Sequence, residues 1–476
     1  MKLEYHESTT FPVTLKFSDA IAKRSAMISS FVLNILSMNP LLLSGFGISI
    51  DVNKARLTIK QKESVIEFEP HRMPYDSIII DGHYGSISFE AMRWLSKHDV
   101  SIALLNWNGN LLYSAIPKET LNADLKIKQY EKYLNEEERT AIAEKIVNEK
   151  IKKSLVFLEN MSTFYQEIDF EEIKNVFSKE LESFNLKKKK GNNDNTENTG
   201  FPIDDTDLTF ANKKENNINK KVNENEKSNL KKKISDLMMY EGRIASAYWS
   251  ELSKVFNKLS KDFNFQSRKN LSYSWNMNAS DPVNALLNYG YAILESMVRK
   301  DINVIGLDPS IGYLHEIAPA KHPLVYDLQE LLRYVVDYSV IELLETGLKK
   351  SDFITTENYH IRLKPDTAKK LIEKIQGNFN KRYEFRNKQH TLENIMFEDI
   401  MFENIRELSK YVLGKAMEMK FNIPNINIER NDNIEMRNKI VSIDPEKRKE
   451  LKLEFRSLIF MKTHAQTVFH CLLCRI

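Results

Sequence analysis

With 476 residues the chain has the length for two or three domains, each able to bury a core, and 42% hydrophobic against 28% charged residues places it in the globular class. The net charge is only +3, from 69 basic and 66 acidic side chains, so composition does not mark a nucleic-acid binder and a DNA surface would have to come from local clustering. The only cysteines, Cys471 and Cys474, exclude a disulfide framework in the body and suit a cytoplasmic protein.

Residues 26–38 are apolar but broken by Ser29, Ser30, Asn34 and Ser37, too short and too polar to span a membrane. Lys23 and Arg24 precede them, yet no small-residue cleavage pattern follows, so residues 1–37 read as an appendage packed on the fold. From 38 to 117 the hydrophobic period shifts towards two. Ile48, Ile50 and Val52, then Leu57 and Ile59, alternate with polar neighbours around a hairpin turn at Asn53-Lys54. Ile78–Ile80 reads as a short buried strand ending at Asp81-Gly82, with His83 a polar loop residue. Ser88 caps a helix to Lys97, Val100–Leu105 forms another strand, and Asn108-Gly109 marks a turn.

Residues 118–430 read as helical. Leu121–Asn160 carries mixed Lys and Glu that read as a solvated face, without chemistry. Residues 187–233, rich in Asn, Lys and Glu, are predicted to be a disordered insert, because they cannot bury enough surface to offset chain entropy. Met238–Lys258 is a helix. Asp281 and Pro282 open the next, reaching about Lys300, before Gly306, Pro309 and Gly312 break the chain into a loop that delivers His315. Leu324 starts a further helix, predicted to continue to Leu348, with Asp327 and Glu330 three residues apart on one face. A loop histidine facing an acidic helix is compatible with a metal site. Tyr359–Lys410 reads as more helix, where Lys369 to Arg386 interleave with Phe379, Tyr383 and Phe385, as phosphate contacts plus stacking or as core aromatics beside solvated lysines. In the tail, 431–476, the His470-Cys471 and Cys474 cluster lacks the second pair of a zinc site. The expected fold class is α+β, a β-rich N-terminal domain followed by a larger all-α catalytic domain.

Gly306–His315 (GLDPSIGYLH), Pro323–Arg333 (PLVYDLQELLR) and Tyr240–Trp249 (YEGRIASAYW) together resemble the CRISPR-associated Cas1 integrase family, as do Asn39–Lys60 and Ile78–Leu112. The resemblance implies that Glu241, His315 and Glu330 are catalytic metal ligands, with Asp327 behind them or as an alternative ligand. Asn284, Asn288, His322 and Arg333 are then candidates to contact DNA. Two carboxylates and an imidazole without thiols suit Mg²⁺ or Mn²⁺. The implied reaction is endonucleolytic integration: the 3′-OH of a foreign DNA fragment attacks the border of a CRISPR repeat by transesterification. The implied assembly is a homodimer bridged by a small Cas2 partner, with the sheet domain mediating dimerisation and docking. No phosphate-binding loop or nucleophile elbow competes with this reading. Two alternatives stand beside it: a transposon-borne casposase with the same chemistry, and a catalytically silent DNA-binding assembly subunit.

Overall fold

The computed structural model of the chain describes residues 39–62, 64–106, 109–117, 122–193, 211–268, 279–319, 321–356, 360–386, 392–426 and 428. The expected appendage at 1–37 and the tail 431–476 lie outside them. Strands β1 (Pro40–Asn53), β2 (Arg56–Gln61), β3 (Ser64–Phe68), β4 (Ser77–Ile87), β5 (Ser101–Leu105) and β6 (Leu111–Ala115) form one sheet in the order β3-β2-β1-β4-β5-β6. β4 runs parallel to β1 and β5, and the other pairs are antiparallel. The period-two pattern puts Ile48, Ile50, Leu57 and Ile59 into a core closed by Ala91, Trp94 and Leu95 of helix α1 (Phe89–Lys97). Ser88 caps α1, its Oγ accepting from the Ala91 N–H at 3.1 Å.

Two features of the sheet differ from expectation. The β1–β2 turn is Lys54-Ala55, one residue later than predicted, and both adopt positive φ (47° and 65°), the conformation whose twist matches a two-residue hairpin. β4 does not stop at Asp81-Gly82 but continues to Ile87 beside β1. Gly82 serves close approach there rather than termination: a Cβ would lie 2.6 Å from the Gly45 carbonyl oxygen.

The rest is mostly helical. Helices α2 (Ala123–Leu134) and α3 (Glu136–Ser162) divide at Asn135, whose side chain accepts from the Glu138 N–H at 3.0 Å. Helix α4 (Phe170–Asn193) and the long α5 (Ala211–Leu259) follow. The predicted disordered insert is therefore helical backbone over 187–193 and 211–233, with 194–210 outside the described residues. Residues 211–233 contain neither Pro nor Gly, and they extend a helix anchored by buried Ile234, Leu237 and Tyr240.

Helix α6 (Pro282–Ile305) is the axis of the helical region. Asp281 Oδ1 accepts from the Asn284 N–H at 2.8 Å, and Gly306 at φ 92° ends the helix. It is buried on nearly every side, and Gly290 lets helix α8 (Arg333–Leu344) close onto it, since a Cβ would lie 2.5 Å from Val336. Helix α7 (Pro323–Gln329) is short, and a turn at Glu330–Leu332 separates it from α8, so the single predicted helix is two. Beyond lie hairpin β7 (Phe353–Thr355)–β8 (Ile361–Leu363), helix α9 (Pro365–Phe379), hairpin β9 (Arg382–Arg386)–β10 (Leu392–Met396) and helix α10 (Phe397–Val412). The basic stretch at 382–386 is thus a strand. Phe379 and Tyr383 pack edge-on against Phe397 as core, favouring the packing reading over stacking on bases. No helix among the described residues is long and apolar enough to cross a membrane.

The chain is α+β, a mixed sheet followed by a predominantly helical region. Lys300 of α6 reaches Asp76 at the foot of β4 (2.9 Å), and Gln376 of α9 reaches Asn39 (3.1 Å), fastening the two parts.

Candidate active site

The loop after α6 is held from three directions. The Gln129 side chain of α2 donates to the Asp308 and Ile311 carbonyls (3.0 Å each) and accepts from the Asp308 N–H (2.7 Å). Arg139 of α3 donates to the Tyr313 carbonyl at 3.0 Å and pairs with Glu316 at 3.0 Å. Beneath the loop, fully buried Asp327 of α7 accepts backbone N–H groups from Tyr313 (2.5 Å), Leu314 (3.0 Å) and His315 (3.1 Å). Gly312 permits this closeness, because a Cβ would sit 2.7 Å from Pro323 and 3.0 Å from Asp327 Oδ2.

Asp327 Oδ1 also accepts from His315 Nδ1 at 2.7 Å. With the proton on Nδ1, the Nε2 lone pair points away from Asp327, the arrangement a ligating imidazole needs. Burial disfavours the imidazolium, but the hydrogen bond and charge of Asp327, with Glu330 beyond it, outweigh burial and raise the His315 pKa.

The two glutamates meet across a cleft between α3, α5 and the α7–α8 turn. Lys150 of α3 inserts its ammonium between them, pairing with Glu241 Oε1 and lying 2.5 Å from Glu330 Oε2. Glu330 Oε1 pairs with Arg333 at 2.8 Å. Oε2 is close enough to Lys150 for an ion pair but is not aligned for a hydrogen bond with any group. Burial alone would raise the Glu330 pKa, yet Arg333 and Lys150 hold it down at about 2. Lys150 was not legible as a site residue. Its helix read as a solvated Lys/Glu face, whereas it continues the buried stripe of Ala143, Ile146 and Val147, and a charge in an apolar stripe is the signal that marks it.

Asp327 and Glu330, predicted on one helical face, divide: one serves the loop and His315, the other turns to Lys150 and Arg333. Among the described residues no three His, Cys, Asp or Glu side chains converge closely enough to hold a metal ion, the ammonium filling the space between the carboxylates. Asn284 and Asn288 lie on α6, their oxygens accepting from the Arg268 guanidinium at 2.5 and 2.8 Å. Arg268 and Arg333 face the Tyr291 ring, 5.2 and 4.8 Å from its centroid. Deeper still, Tyr248 and Tyr291 donate to buried Asp337 at 2.7 and 2.5 Å, and burial lifts that carboxyl to about 6 against both hydrogen bonds. His322 precedes α7 with Nδ1 unpartnered, and burial followed by nearby Arg299 lowers its pKa.

Comparison with known proteins gives this arrangement a lineage. The family described as CRISPR associated protein Cas1 matches residues 41–377. A Cas1 protein of Methanobrevibacter ruminantium is 27% identical over 70% of this chain and 86% of its own length. A Cas1 endonuclease of Francisella tularensis subsp. novicida is 28% identical over 75% and 92%. Among solved structures, a casposase bound to integration product is 32% identical, covers 85% of this chain and 99% of its own, and superposes with a TM-score of 0.64. The Cas1 protein of Thermotoga maritima, at 18% identity and a TM-score of 0.55 over 82% of this chain, shares the fold. With the match spanning most of the sheet and the segments that carry Glu241, His315 and Glu330, the chain belongs to the CRISPR-associated Cas1 family.

Proposed function

We propose that the protein is a divalent-metal-dependent DNA endonuclease and integrase that joins a DNA 3′-OH end to a target strand by transesterification. Glu241, Glu330 and His315 would hold one Mg²⁺ or Mn²⁺. The single observation that carries this reading is the ammonium of Lys150 lodged between two carboxylates, one from helix α5 and one from the α7–α8 turn, beside an imidazole whose Nδ1 is committed to Asp327. The donor set fits a hard or borderline divalent cation, which would polarise the scissile phosphate and stabilise charge on the attacking and leaving oxygens.

The chain's own residues supply the rest. Asp327 fixes the His315 tautomer and orientation. Arg333 keeps Glu330 ionised through the neutral range, and its guanidinium is available to a phosphate oxygen at the cleft. Asn284 and Asn288 act on DNA through Arg268, whose side chain they aim. His322 is a weaker candidate at the loop's far side. The substrates in this reading are a foreign DNA fragment and a CRISPR repeat. The assembly in this reading is a homodimer with a Cas2 partner; a solved complex that includes Cas1 and Cas2 shares the fold (TM-score 0.55).

A casposase, acting on mobile-element ends, is the second reading. It is supported by the 32% identity, over 85% of this chain, to a casposase bound to integration product. Strand transfer of a 3′-OH duplex end into a supercoiled plasmid, with Mg²⁺ or Mn²⁺ supplied, tests the chemistry shared by both. Wild type should join, EDTA should abolish joining, and Glu241→Gln and Glu330→Gln should lose it by orders of magnitude while remaining folded. Wild-type rates in those folded variants would falsify the ligand assignment. Preference for repeat-bearing targets or for inverted-repeat donors separates the two readings.

A further inference from the structure

We propose that Lys150 is the resident cation of the Glu241–Glu330 pair, displaced when a divalent ion binds, so that this lysine sets how tightly the metal is held. The inference rests on the reading of that pair as metal ligands.

Lys150 leaves α3 from its buried stripe, so helix packing, not solvent, directs it into the cleft. Its side chain is 16% exposed, those of Glu241 and Glu330 are 22% and 7%, and the three come from separate elements. Ion pairs so poorly solvated are not the weak, screened contacts of a surface. Nζ touches both carboxylates at once, pairing with Glu241 Oε1 and lying 2.5 Å from Glu330 Oε2.

A divalent ion cannot share that space with an ammonium, because like charges in a poorly solvated cleft repel strongly. One cation has to leave. Arg333 is the less mobile, its planar guanidinium over the Tyr291 ring at 4.8 Å and paired with Glu330 Oε1. Lys150 has a flexible four-carbon stem and a point charge, and is the group that can swing away without unpacking its helix. A lysine that served only to hold α3 against α5 would behave oppositely: removing it would loosen the carboxylates and weaken metal binding.

Mn²⁺ titration of the full chain, with free Mn²⁺ read by electron paramagnetic resonance, tests this. Lys150→Met keeps the stem and deletes the charge, and should bind Mn²⁺ about tenfold or more tightly than wild type. Unchanged or weaker binding overturns the proposal. A second measurement needs no variant. Amine acylation of wild type, read by peptide mass spectrometry, should rise at Lys150 when Mn²⁺ is added, and constant or reduced labelling refutes displacement. Glu241→Gln keeps the two hypotheses apart. If it abolishes Mn²⁺ binding while Lys150 shows neither effect, only the lysine's role falls. If wild type binds no Mn²⁺, or Glu241→Gln binds it equally well, the ligand assignment falls and takes the lysine's role with it.

Discussion

Replacing Asp327 with Asn tests how the site is built, because the change alters only which atoms accept. The carboxylate is fully buried and uses both oxygens: Oδ2 takes the Tyr313 and Leu314 N–H groups, and Oδ1 takes the His315 N–H and His315 Nδ1. An amide nitrogen in the Oδ2 position would face two N–H donors, at about 1–3 kcal/mol for each buried group left unpaired. In the Oδ1 position it orphans one N–H and forces His315 Nδ1 to accept, moving the imidazole proton to Nε2. The second orientation is the cheaper, so the expected destabilisation is about 1–3 kcal/mol. It also removes the Nε2 lone pair, and loss of such an orienting partner typically costs about 10–100-fold in metal affinity or activity. Urea unfolding gives the first number and Mn²⁺ titration with strand transfer the second. Activity should fall less than in Glu330→Gln, which changes a ligand itself. An unfolding midpoint within error of wild type, together with undiminished Mn²⁺ affinity, would show that Asp327 does not hold the loop or the histidine. A loss as severe as that of Glu330→Gln would move the third ligand to Asp327.

Three further perturbations follow from the same geometry. Gly312→Ala, whose Cβ would sit 2.7 Å from Pro323 and 3.0 Å from Asp327 Oδ2, should cost about 1–3 kcal/mol in denaturant unfolding, and a neutral result would mean the loop can shift freely. Asp301, buried and pushed up to about 7 by burial, with Asp76 and Asp399 adding and Lys300 opposing, keeps a proton that the unfolded chain releases near its ordinary carboxyl value. Its stabilisation is present below about pH 4 and lost as pH rises to about 7, so Asp301→Asn should flatten the decline in unfolding temperature between pH 5 and 8, and parallel wild-type and variant curves would refute the assignment. His315→Ala should keep most of the DNA affinity across a salt titration, since binding rests on many phosphate contacts, and a large loss at constant salt would give His315 a DNA-holding or structural role.

Much of this was readable in the sequence because certain residue types tolerate few alternatives. Ser88 and Asp281-Pro282 mark helix starts through local hydrogen bonding and allowed φ, and the structure uses each as the sequence indicates, while Gly306, read as a loop breaker, caps a helix that runs past Lys300 to Ile305. The missed features depend on partners remote in sequence. Gly82 looks like a strand terminator until β1 is laid beside it, when the missing side chain becomes the condition for pairing. Arg382–Arg386 has no strand signal strong enough to override its charges, and becomes a strand through pairing with Leu392–Met396. Glu330 fits a continuous helix by local propensity, and the break beside it redirects its carboxylate from Asp327 to Lys150. Lys150 could be assigned no partner without knowing that α3 lies across α5.

That last contact bears on why the cleft can be stable before it is used. Two carboxylates brought together in a poorly solvated place raise one another's pKa, and one of them ordinarily takes a proton. Here burial pushes the Glu330 carboxyl up, and Arg333 and Lys150 more than offset it, holding it at about 2. The two cations differ in kind: Arg333 follows Glu330 by three residues and stacks on Tyr291, while Lys150 comes from another helix on a flexible stem. One of them can leave without dismantling the other. A cation arriving in the proposed reaction therefore has a single flexible side chain to displace, with no proton to remove from Glu330.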